Sequence, residues 1–195
     1  MGPLCALWVV VTLLEALKGW APSPLLAVAQ VLKSFHKDKF QGEWFVLGLA
    51  GSTHSKADRS LLSPFTATFE QNAKNQLEVS YAMTRGNQRC ITWSYVLISK
   101  SQPGKFSVEN REPGADTEEV QVHNTDYTTF ALMSSRRRSG SQSILRVHLL
   151  CRAWAIPTQL LDKFVCLVRA QGLLDANIVF PDLAAPAPPA LSPRI

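Results

Sequence analysis

From Trp44 to Arg152 the apolar positions of this chain recur with a period of two, and that pattern leaves few folds open. Leu77, Val79, Tyr81 and Met83 alternate with Glu78, Ser80 and Ala82, and Ile91, Trp93, Tyr95 and Leu97 alternate with Thr92, Ser94 and Val96. Phe106 with Val108, and Val120 with Val122, repeat the pattern. Turn signals punctuate the runs: Gln71–Asn75, Arg85-Gly86-Asn87, Gln102-Pro103-Gly104, Glu112-Pro113-Gly114 and Ser139-Gly140. Adding Trp44–His54, Pro64–Gln71, Tyr127–Ser134 and Ile144–Arg152 gives eight expected strands at short intervals. Such spacing favours antiparallel neighbours over a parallel sheet, which needs long crossover helices.

The period changes after Arg152. Leu160, Leu161, Phe164, Leu167 and Val168 form a helical stripe between a start signal at Pro157-Thr158 and a stop at Gly172. Asn177–Phe180 then reads as a short strand bounded by Pro181. The order predicts an all-β fold: an eight-stranded antiparallel up-and-down barrel with one C-terminal helix packed outside and a short final strand. Closing the sheet removes its edges, and eight strands enclose either side-chain packing or one small ligand.

The ends read differently. Leu4–Leu14 is an uncharged apolar run of eleven residues, followed by Glu15, Lys18 and Gly19. It is too short to span a bilayer and suits a secretory leader, expected over residues 1–19, so the protein is expected to be secreted. Residues 184–195, rich in Pro and Ala, are expected to be a flexible tail, which leaves 20–183 as the domain. No later apolar run is long enough for a membrane span. A net charge of +5 among 195 residues is too mild for a nucleic-acid-binding face. After leader removal the thiols are Cys90, Cys151 and Cys166, at spacings that match no zinc signature, so neither a metal nor another cofactor is expected.

Three motifs in order resemble those of the lipocalin family, over about residues 36–183. Gly42-Glu43-Trp44 resembles the Gly-x-Trp that opens the first strand, Thr125-Asp126-Tyr127 the second motif, and Arg152 the arginine that ends the eighth strand. These residues read as structural. An Arg stacked on Trp44 would gain a cation–π contact at a plugged barrel end, and Asp126 can cap its turn. Lys163-Phe164, Ala170-Gln171-Gly172 and Ile178-Val179-Phe180 are similar to the end of lipocalin-type prostaglandin D synthase and of the epididymal lipocalins. The resemblance implies a secreted carrier of a small lipophilic ligand, a retinoid such as all-trans retinoic acid or a related lipid acid, in the male reproductive tract. It also implies a disulfide from Cys90 to a helix cysteine. Cys166 is the candidate, although at 100° per residue it sits about 200° from Phe164, nearly opposite the apolar stripe.

Two other functions compete with the carrier. One is a lipid-converting enzyme of the prostaglandin D synthase type, whose nucleophilic cysteine would fall at Phe65; a phenyl ring cannot replace a thiolate, so no catalytic residue is assigned. The other is a protein-interaction module using the loops of the open end, including Arg136-Arg137-Arg138, read as part of the hairpin between strands seven and eight. For the carrier, parity selects the lining. If Arg152 turns inward, Leu150, His148 and Arg146 share its face, and Leu145, Val147, Leu149 and Cys151 face the helix. The expected ligand contacts are Trp44, Val46, Phe65, Phe69, Tyr81, Met83, Trp93, Tyr95, Phe106, Val108, Arg146 and His148; Gly48, Ala50 and Ile91 share their parity. Arg146 then pairs with a ligand carboxylate, with His148 assisting. The competing reading is a bulge that turns Arg146 to solvent.

Overall fold

A computed structural model describes residues 32–55, 65–85, 89–109 and 116–184. The expected leader over 1–19, nearly all of the expected tail, and the turns at Gly86-Asn87 and Glu112-Pro113-Gly114 lie outside the described residues. Each period-two run is a strand: β1 (Gly42–Gly51), β2 (Phe65–Gln71), β3 (Leu77–Arg85), β4 (Arg89–Ser99), β5 (Lys105–Val108), β6 (Thr117–Thr125), β7 (Phe130–Ser139) and β8 (Gln142–Cys151). Consecutive strands pair antiparallel, and β1 pairs with both β2 and β8, which closes the barrel. A four-residue helix α1 (Lys37–Phe40) precedes β1, and α2 (Thr158–Ala170) follows β8. The last strand, β9 (Ile178–Val179), adds antiparallel to Leu49 and Ala50 of β1 on the barrel's outside.

Alternation divides the apolar residues into two cores. The inner one fills the barrel around Phe40, Trp44, Phe69, Leu77, Leu97, Phe106 and Leu150. The outer one joins Leu145, Val147, Leu149 and Cys151 of β8 to Leu160, Phe164, Leu167 and Val168 of α2. The outward face of β8 is therefore apolar because a helix covers it, and the inward face is free to carry Arg146 and His148.

Two local departures change what parity alone implies. The β1–β8 register shifts between Val46 and Gly48. Leu47, at the bulge, and Ala50, beyond it, belong to the outer core, and Leu49 points inward. Gly48 faces the helix, where an added Cβ would stand 3.0 Å from both Phe164 and Leu149. The expectation that Gly48 and Ala50 face the interior is thus corrected: one extra residue flips every later side chain. The second departure is the β7–β8 hairpin. Arg136, Arg137 and Arg138 are strand residues paired with Leu145, Ile144 and Ser143, and the turn is only Gly140-Ser141. Three arginines extend the strand here because β6 supplies Glu119, Glu118 and Thr117 directly opposite them.

Candidate functional site

The closed end is built first. Gly42 has φ +93, and a side chain there would meet the Arg152 guanidinium at 3.1 Å, so glycine is required on both counts. Arg152 lies over the Trp44 ring with its guanidinium carbon 3.6 Å from the centroid. Its Nη1 donates to the Glu43 carbonyl at 2.8 Å and its Nη2 to the Gln41 carbonyl at 2.7 Å. The Trp44 indole N–H donates to the Phe40 carbonyl at 3.0 Å, which ties α1 across the barrel floor. Asp126 accepts from the backbone N–H groups of Thr128, Thr129 and Phe130. Burial opposes its charged form, but those three donors outweigh it and hold the carboxyl below its usual range. The Thr125 hydroxyl donates to the Phe130 carbonyl and accepts from the Tyr127 N–H, and Tyr127 turns at φ +67. Gly42, Trp44, Thr125, Asp126, Tyr127 and Arg152 all sit in this structural plug.

Above the plug the barrel is half solid and half hollow. Phe35, Phe40, Trp44, Phe69, Phe106 and Tyr127 pack ring against ring across the lower half. The upper half holds a cavity of about 430 Å³ open toward the mouth. Of the twelve expected contacts, Phe65, Tyr81, Met83, Trp93, Tyr95, Val108, Arg146 and His148 line it. Trp44, Val46, Phe69 and Phe106 do not: each is at most 2% exposed and belongs to the filled floor. Parity identifies an inward side chain but not its height along the barrel, and height decides whether it meets a ligand or another ring. Ile91 shows the opposite limit, since it lies past the cavity and is 40% exposed.

The two walls differ in chemistry. On β2–β4 the Tyr81 ring stacks on Trp93 at 5.4 Å and 19°, with Phe65 6.3 Å from each. Across the cavity, β6–β8 present Val120 and Met133 among polar groups: Glu118, Ser135, Arg137, Arg146 and His148. Arg146 has no hydrogen-bond or ion-pair partner among the described residues. Burial, reinforced by the charge of Arg146 and by His54, pushes His148 down to about 4, so its imidazole is neutral at neutral pH. Arg137 is engaged at the mouth, its Nε 2.9 Å and its Nη2 2.7 Å from an Asp116 carboxylate oxygen. Sequence reasoning passed over Leu49, His54, Glu118, Met133 and Ser135 as lining residues, and read Arg137 as part of an open-end hairpin. Glu118 had a usable signal, since it continues the alternation of Val120 and Val122. Leu49 was hidden by the bulge, and His54 follows the end of β1 where no period applies.

The thiols stand elsewhere. Cys151 is buried in the outer core, and burial raises it to about 12. Cys90 on β4 is exposed and Cys166 on α2 is half-buried; both are free, so the bond expected between them is not formed in this structure. Among the described residues no cluster of His, Cys, Asp or Glu is arranged to hold a metal ion, and no helix is long and apolar enough to cross a membrane.

A floor plugged by stacked Trp and Arg, a closed eight-stranded barrel and one outer helix agree with the motif resemblance, and comparison with known proteins extends it. Residues 41–185 match the model of the lipocalin / cytosolic fatty-acid binding protein family. Human epididymal-specific lipocalin-12 is 55% identical over 160 residues, covering 82% of this chain and 83% of that protein. Its mouse counterpart is 48% identical over 189 residues, covering 94% and 95%. The solution NMR structure of lipocalin 12 from rat epididymis superposes with a TM-score of 0.74 at 45% identity, covering 80% of this chain and 89% of that one. With the fold, the plug and a match that spans the whole barrel in agreement, this chain belongs to the lipocalin / cytosolic fatty-acid binding protein family.

Proposed function

We propose that this protein is a secreted carrier of one small lipophilic acid, a retinoid such as all-trans retinoic acid or a related lipid acid, in the male reproductive tract. The observation that carries this reading is Arg146, a guanidinium without a partner among the described residues in the wall of an aromatic cavity. Arg146 is half-buried, so a ligand that fills the cavity takes its charge out of water, which is costly unless an anion meets it, and a ligand carboxylate is that anion. Neutral His148 beside it adds a hydrogen-bonding group without a second charge. The cavity volume of about 430 Å³ lies within the range of small-molecule pockets. Five of the strands that line it, β1–β5, present apolar or aromatic side chains there, so removal of the hydrocarbon part from water supplies the affinity. The epididymal relatives support the tissue.

Replacing Arg146 with Ala should weaken all-trans retinoic acid by about ten- to hundredfold and retinol by less than about threefold, since only the acid makes the charge-assisted bond. Equal losses for both ligands would remove the anchor. A companion titration follows tryptophan emission. Trp93 lines the cavity and Trp44 lies in the filled floor, so Trp93→Phe should abolish most of the ligand-induced quenching while Trp44→Phe retains it. The reverse result would move the ligand to the closed end.

Carriage is favoured over lipid conversion because the ring of Phe65 forms part of the cavity wall while Cys90, Cys151 and Cys166 are absent from its lining. A thiolate mechanism would have no nucleophile within reach among the described residues.

A further inference from the structure

Glu118 stands where a carrier of simple lipid acids has no use for it. It is half-buried, points into the cavity from β6, and has no hydrogen-bond or ion-pair partner among the described residues. The arginine paired opposite it, Arg137, is committed to Asp116. Tyr81 and Tyr95 also reach into the cavity, and neither phenol has a hydrogen-bond partner among the described residues. Burial raises both phenols; Glu118 raises them further and Arg146 opposes it, and all four polar groups line the same cavity. A plain lipid acid anchored on Arg146 would bring its carboxylate into the same chamber as a second carboxylate, and like charges repel. The belt is also richer in acceptors and donors than one carboxylate can satisfy.

We propose that Glu118 reads a hydroxyl group, and that the preferred ligand is a hydroxylated lipid acid whose carboxylate pairs with Arg146 while its hydroxyl donates to Glu118. This rests on the carrier reading above and deepens it. The strand register gives the spacing. Arg146 is paired with Ser135, Ser135 with Val120, and Glu118 lies two residues from Val120 toward the mouth. Two strand spacings and one two-residue step separate the backbones by on the order of 10 Å. The hydroxyl therefore sits several carbons from the carboxylate, with Tyr81 and Tyr95 on the facing wall of the cavity. An amine in its place would face Arg146 and Arg137, whereas a hydroxyl donates to Glu118 without adding a charge. A buried acceptor that loses its donor is left unsatisfied, which is why sites of this kind discriminate strongly against the analogue lacking the hydroxyl.

The test compares stearic acid with 10-hydroxystearic and 12-hydroxystearic acids by titration calorimetry on the full chain and on three variants. The native chain should bind at least one hydroxy acid about tenfold or more tightly than stearic acid. Glu118→Leu should bring that preference within about threefold and tighten stearic acid severalfold, because acceptor and repulsion are lost together. Glu118→Gln keeps an oxygen acceptor without the charge, so it should tighten stearic acid while retaining part of the preference. No preference in the native chain, or a preference undiminished in Glu118→Leu with an unchanged melting profile, overturns the proposal. Arg146→Ala separates the two readings. If it leaves all three acids unaffected while Glu118→Leu removes the preference, the carboxylate anchor fails and the hydroxyl reader stands. If none of the acids binds the folded native chain, both fail.

Discussion

Replacing Arg152 with Ala is expected to destabilise the barrel by about 3 kcal/mol or more, because it leaves several carbonyls at the closed end without donors. The guanidinium serves the carbonyls of Glu43 and Gln41 at 2.8 and 2.7 Å, reaches Tyr127 at 3.3 Å, and covers the Trp44 ring at 3.6 Å. Each half-buried carbonyl left without its donor costs up to about 1–3 kcal/mol, and loss of the cation–π contact adds to it. Lysine should not rescue the loss: one compact ammonium cannot span acceptors on both sides of the indole as a planar fork does. Urea unfolding measures this as a lower midpoint with an unchanged slope. A loss below about 1 kcal/mol would mean that water replaces the arginine and that the plug is held by its rings alone. Ligand affinity per folded molecule should change little, because this layer lies below the cavity.

The second large effect is on pH. His148 and His123 both ionise near 4 in the folded chain instead of 6.5, chiefly because burial disfavours the imidazolium; Arg146 and His54 add to it at His148, and Lys105 at His123. The sign follows from linkage. Between pH 6.5 and 4 the unfolded chain binds protons at these sites that the folded chain refuses, so stability falls as the pH falls through that window. A shift of that size corresponds to at most about 3 kcal/mol for each histidine. Midpoints of unfolding measured from pH 7.5 to 4 should decline, beginning near 6.5 and before the depressed carboxyl of Asp126 titrates. His148→Gln and His123→Gln should each flatten part of the decline. His123 also bonds Ser134 through Nε2 at 2.7 Å, so its variant should lower the neutral-pH stability as well. A flat profile down to pH 4.5 would show that both imidazoles stay hydrated.

Strand existence was legible because side-chain direction in a strand depends only on odd or even position. Tyr81, Trp93, Tyr95, Arg146 and His148 face the interior for that reason, and the helical period of Leu160, Phe164, Leu167 and Val168 explains the outer core without any contact map. Gly42, Trp44, Asp126 and Arg152 were legible as a structural set through their motifs, and they meet at the closed end. Parity failed where a local event broke it: the bulge at Val46/Gly48 that turned Leu49 inward and Gly48 and Ala50 outward.

The alternation in this sequence thus settles the architecture, since a two-residue period with short turns can bury its apolar face only by pairing and closing. What lies at a given height inside the barrel is a different matter. That Trp44, Val46, Phe69 and Phe106 are floor while Phe65 and Trp93 are wall depends on the tilt and register of eight strands and on α1 entering from below. The same tertiary geometry brings Glu118, from a strand remote in sequence, into the same cavity as Arg146 and the two phenols. Charges meet through space, and only closure of the barrel sets those distances.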